Sequence, residues 1–79
     1  MPKELKRLLR QLAFKVVEYV EESGLVAVRG YRKYVNGDIM SKLRILAGEK
    51  GYILRVWMVT PHSKGWVSFF FIFEEVKSK

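Results

Sequence analysis

The sequence has 79 residues, 49% of them apolar, no cysteine and a formal net charge of +7. That length fits a single domain over 1–79, with a marginal core, because so short a chain buries only about 60% of its unfolded surface. The apolar content excludes a disordered chain, and the missing cysteines exclude disulfides and thiolate metal sites.

So high a charge on so small a chain implies an anionic partner, of which nucleic acid, DNA or RNA, is the commonest. Nine Lys and seven Glu stand against one Asn, one Gln, one Thr and one Asp. This is the bias of hyperthermophile proteins, so a thermophilic source, archaeal or viral, is expected. The opening Met1 to Arg7 is charged and lacks the apolar stretch of a signal peptide. The run from Val67 to Phe73 is far too short to cross a bilayer. A cytoplasmic setting without membrane contact is expected.

In chain order, residues 3–22 place Leu5, Leu8, Leu9, Leu12, Val16, Tyr19 and Val20 at three- and four-residue spacing, the apolar stripe of one helix. Pro2 suits its entrance and Ser23-Gly24 its exit. Its charges oppose the helix dipole, with Lys3, Lys6, Arg7 and Arg10 first and Glu18, Glu21 and Glu22 last. At about 100° per residue, Arg7, Arg10, Phe14, Glu18 and Glu21 share a stripe symmetric about Phe14. An antiparallel copy would set Arg7 on Glu21, Arg10 on Glu18 and Phe14 on itself, which is an isologous homodimer contact. A solvated charged face with one stray Phe is the plainer alternative.

Four strands of similar length follow, at about 25–35, 38–47, 52–60 and 66–75. Asn36-Gly37 reads as a type I′ hairpin turn, and residues 48–51 and 61–65 read as hairpin loops. Ile39, Met40, Leu43, Leu46 and Ala47 would also suit a short helix with Asp38 as N-cap and Gly48 beyond its end. The hairpin registers favour the strand, because two registers assumed separately sort the residues onto the same two faces.

One face holds Val26, Val28, Leu43, Ile45, Leu54, Val56 and Met58 and is expected to lie under the helix. The other holds two lateral rows, Arg29, Arg44 and Arg55, then Tyr31, Lys42 and Trp57, with Lys33 nearby. Like charges directly opposite in a sheet repel, so aligned arginines make sense under an anion. Tyr and Trp beside them offer surfaces on which bases stack. Arg29, Tyr31, Lys33, Lys42, Arg44, Arg55 and Trp57 are therefore the expected nucleic-acid contacts. The plainer alternative is an ordinary solvated sheet face, where Arg stems cover apolar surface.

Strand 66–75 is apolar on both sides. As the edge of a meander it would need cover, from a partner subunit or another protein. An interaction module docking through residues 66–73 or through the Phe14 helix face is thus the second expectation.

Catalytic signals are sparse. His62, the only His, lies in a Pro-His-Ser-Lys-Gly loop, and Asp38, the only Asp, follows Asn36-Gly37. Both read as turn chemistry. No clustered metal ligands and no Gly-rich phosphate loop occur, so no catalytic residue, metal or cofactor is expected.

The segment G-L-V-A-V-R-G after a helix, with Gly37-Asp38-Ile39 later, resembles archaeal Holliday-junction resolvases. That resemblance implies an acidic-x-Lys pair on the next strand, where this chain reads L-R-V-W, so the family's metal site would be missing. In outline, a small basic chain of helix and antiparallel sheet is also similar to ribosome-dependent RNase toxins of the RelE kind. Those usually begin with a strand and two helices. The expectation is an α+β domain, one N-terminal helix on a four-stranded antiparallel β-meander (αββββ). It would form a homodimer and bind nucleic acid without catalysis, and an RNase toxin is the lesser alternative.

Overall fold

The architecture comes from a computed structural model that describes residues 1–76. The domain expected over 1–79 runs three positions further, outside the described residues. Helix α1 spans Lys3–Gln11 and strand β1 Lys15–Glu22, followed by β2 at Leu25–Lys33. Helix α2 spans Gly37–Glu49, β3 Tyr52–Pro61 and β4 Trp66–Glu75. The strands form one sheet in the order β1-β2-β4-β3, and all neighbours are antiparallel.

The chain is therefore α+β with a four-stranded antiparallel sheet, but its order is αββαββ and not αββββ. From β2 the chain passes through α2 to β3, and β4 then inserts between them, which is a split βαβ unit. Moving α1-β1 behind β4 would give β-α-β-β-α-β.

The expected helix over 3–22 stops at Gln11. Ala13 takes left-handed backbone (φ 66°), its N–H donates to Arg10 O at 3.0 Å, and Phe14 N–H donates to Leu9 O at 2.8 Å. This pair of bonds is a Schellman closure with Ala where Gly is usual. Arg32 reinforces the helix end. Its Nε donates to the Leu12 carbonyl at 2.8 Å, and its guanidinium lies 5.1 Å from the Phe14 ring centre.

Beyond the closure, Val16, Val17, Tyr19 and Val20 are β-branched or aromatic and extend as β1. The β1-β2 hairpin turns on Ser23 (φ 49°) and Gly24 (φ 81°), the dihedral signs of a type I′ turn.

Phe14 is consequently core, 3% exposed and edge-on to Phe69 and Phe71 at 5.3 and 5.7 Å. The stripe expected to join Arg7, Arg10, Phe14, Glu18 and Glu21 as a dimer seam does not form. Arg7 and Arg10 stay on α1, Glu18 pairs with Arg29 and Glu21 with Val26, on opposite faces of the sheet.

The expected strand at 38–47 is also replaced, by α2. Asn36 Oδ1 accepts the Ile39 N–H at 2.9 Å as N-cap, and the helix closes at Lys50-Gly51. Leu43 and Ala47 point inward, while Ile45 is 62% exposed. Both hairpin registers built on that strand fall with it.

Strand β4 occupies the centre of the sheet. Phe69, Phe71 and Phe73 face the helices and pack with Leu5, Leu8, Leu9 and Leu12 of α1, Leu43 of α2, and Val26, Val28 and Leu54 of the neighbouring strands. It is not the exposed edge of a meander, because β2 and β3 pair with its two edges.

Each outer strand carries a bulge, between Val16 and Glu18 in β1 and between Val56 and Met58 in β3. The second bulge turns Met58, expected in the core, to the side opposite the helices, where it pairs with Phe70. No helix among the described residues is long and apolar enough to cross a membrane.

Candidate nucleic-acid interface

Both helices lie on one side of the sheet, so its other face is open. Strand pairing arranges that face in lateral rows. The first holds Glu22, Leu25, Glu74 and Ile53, and the second Val20, Ala27, Ile72 and Arg55. The third holds Glu18, Arg29, Phe70 and Met58, with Trp57 beside it at the bulge. The fourth holds Lys15, Tyr31, Ser68 and Thr60, and Lys33 with Trp66 completes the face. The rows grade from acidic and aliphatic at one end to basic and aromatic at the other. The last two contain no carboxylate.

Five of the expected contacts share this face: Arg29, Tyr31, Lys33, Arg55 and Trp57. Lys42 and Arg44 do not, because they are exposed on α2. The expected arginine row is therefore absent. Arg29 and Arg55 stand in different rows with β4 between them, and each meets a carboxylate, Arg29 with Glu18 at 3.4 Å and Arg55 with Glu74 at 2.9 Å. Their charges are partly met within the chain, while Lys15 and Lys33 have no ion pair among the described residues. Trp57 is 66% exposed and its ring lies 6.3 Å from that of Phe70.

At the basic end, Lys15, Tyr31, His62 and Trp66 line a hollow of about 420 Å³. A second hollow, of about 570 Å³, shares Tyr31 and runs past Arg29 and Phe70 to Trp57. Lys33 Nζ sits 5.4 Å from the Trp66 ring centre and 5.6 Å from that of Tyr34, a cation between two rings.

Tyr34 (φ 57°) and Lys64 (φ 60°) both hold left-handed backbone at this corner, an uncommon state for large side chains. The Tyr34 ring covers Gly65 so closely that a Cβ there would stand 2.2 Å from Cε1. The turn brings His62 Nε2 to 2.9 Å from Ser68 Oγ, and His62 borders the hollow. Residue spacing gave no sign of Lys15, His62, Tyr34 or Trp66 at this site. Their meeting depends on β4 lying beside β2.

The corner offers flat rings, ammonium groups and an imidazole with no opposing carboxylate, which suits a planar base carrying a phosphate. Compared with protein-family models, curated proteins and solved structures, the chain matches none.

Proposed function

We propose that the chain binds single-stranded nucleic acid, DNA or RNA, on the open face of its sheet, without catalysing a reaction on it. Bases stack on Tyr31, Trp66 and Trp57, while Lys15 and Lys33 meet phosphates. The observation that carries this reading is the carboxylate-free end of the face, where Tyr31 and Trp66 flank a hollow beside Lys15. Four-stranded sheets that stack unpaired bases on open-face aromatics work by the same chemistry.

A salt titration with fluorescent single-stranded and duplex oligonucleotides tests it. Log affinity for the single strand falls with log salt by about 0.7 per phosphate neutralised, and binding quenches tryptophan fluorescence. Tyr31→Ala and Trp66→Ala each weaken binding by about 1 to 3 kcal/mol. Arg44→Ala, on α2, leaves it nearly unchanged. No binding at low salt, or full affinity in both aromatic variants, defeats the proposal.

A second reading concerns the other half of the face. Val20, Leu25 and Ile53 are exposed there, with Ala27 and Ile72 between them. An exposed aliphatic surface of this kind, crossed by the Arg55–Glu74 pair, suits a homodimer contact with a second copy of the chain, and it leaves the basic end free.

A further inference from the structure

Outside the open face, a further concentration of unmet positive charge lies in the groove between α1 and β1. This groove, of about 520 Å³, is lined by Lys6, Arg10, Lys15, Val16 and Tyr19, with Phe14 at its floor. Lys6 and Arg10 stand four residues apart, one turn along the exposed side of α1, a rise of about 6 Å. The Schellman turn at Ala13 reverses the chain, so that Lys15 follows closely beyond Arg10. None of these three cations is ion-paired among the described residues. Glu18, the carboxylate bordering the groove, is engaged by Arg29.

Lys15 lines both this groove and the hollow of the basic corner. The two sites therefore meet at the start of β1, where the sheet ends and the helix layer begins. Nothing in the nucleic-acid reading of the open face requires Lys6 or Arg10, which lie on the helix side.

We infer that a bound single strand does not stop at the sheet but passes over the start of β1 into the α1-β1 groove, where Lys6 and Arg10 hold its phosphodiester groups. This rests on the open-face reading above. Tyr19, half-exposed on the same side, offers a further ring to a base entering the groove. The site is then longer than the open face alone. Its affinity depends on strand length until the groove is filled, and the contacts of Lys6 and Arg10 are electrostatic.

The test compares single-stranded oligonucleotides of about 4 and about 12 nucleotides, lengths that bracket short and extended sites. Wild-type protein is compared with the double variant Lys6→Glu/Arg10→Glu and with Tyr31→Ala. The double variant is expected to weaken the long strand roughly tenfold, to lower its salt slope by about 1.4, equivalent to two phosphates, and to leave the short strand unaffected. Tyr31→Ala weakens both lengths.

Lys6→Gln/Arg10→Gln, which removes the charge without reversing it, gives the same length-selective pattern with a smaller loss. It guards against a folding defect, which circular dichroism of both double variants also checks. If the double variants bind the long strand as tightly as wild type while Tyr31→Ala still weakens binding, the groove is no part of the site and the open face stands alone. Equal loss on both lengths overturns the inference as well, because it marks a diffuse charge effect. If wild type binds neither length, the open-face reading and this one fall together.

Discussion

Ala13 decides the course of the first third of the chain. It closes α1 in left-handed backbone, which costs an L-residue about 1 to 2 kcal/mol, and Gly occupies this position in most such closures. Ala13→Gly is therefore expected to stabilise the fold by about 1 kcal/mol. The flexibility that Gly adds to the unfolded chain offsets only part of the relief. In a thermal melt this raises the midpoint by about 4 to 8 °C, and a lowered midpoint would show that the Ala methyl contributes packing worth more than the strain. The closure left no mark in the sequence. Val16, Tyr19 and Val20 continue the three- and four-residue spacing of Leu5, Leu8, Leu9 and Leu12, so the apolar stripe reads straight through a residue where the chain in fact reverses. What overrode the periodicity was the burial of Phe14 against Phe69 and Phe71, a contact some 55 residues distant.

Among the elements, two dipeptides exchanged the roles that local rules suggest. Ser23-Gly24, which reads as a helix exit, is the type I′ hairpin turn, and Asn36-Gly37, which reads as that turn, caps α2 through the Asn36 side chain. Both Asn and Gly serve either purpose, and only the packing of Leu43 and Ala47 under α2 distinguishes them. Strands β3 and β4 were legible within a residue or so because their β-branched and aromatic residues run uninterrupted between turn signals. The faces of the outer strands were less legible. A bulge inverts the alternation midway, so Lys15 and Glu18 share a face despite odd spacing, as do Arg55 and Met58.

The bulge in β1 sits opposite Gly30, where an added Cβ would stand 1.8 Å from the Lys15 carbonyl oxygen and 3.0 Å from Phe69 Cζ. Gly30→Ala must shift backbone on one side or a core ring on the other. It is expected to destabilise the fold by about 1 to 3 kcal/mol or more, read as a lowered urea midpoint. An unchanged midpoint would mean that β1 can re-register without loss. Of the candidate site, Arg29, Tyr31 and Lys33 were legible because β2 alternates regularly. Lys42 and Arg44 were misplaced by the strand assigned to 38–47, and Lys15 and Trp66 needed the β1-β2-β4 order, which no local pattern encodes.

At the scale of the molecule, the open face has two halves of different character, and the proposed homodimer contact lies on the aliphatic one. Val20, Ala27 and Ile72 are lateral neighbours across three strands, and in the next row Leu25 and Ile53 stand on either side of Glu74, which Arg55 pairs. Light scattering is expected to give the mass of two chains for the wild type and of one chain for Ile53→Lys, which sets a charge within the proposed two-fold contact. A mass that the substitution does not change removes this surface as the dimer contact. The path of the backbone adds one more property. Pro2 and Glu75 border the same hollow beside Ser23-Gly24, so the first and last elements begin and finish together at the acidic end of the sheet, across the molecule from Lys33 and Trp66. The start of α1 is the poorer attachment point, because Met1 helps to line the α1-β1 groove. A fluorophore, an affinity handle or a tether at the end of β4 hangs away from the basic corner and can report on an oligonucleotide there without standing in its way.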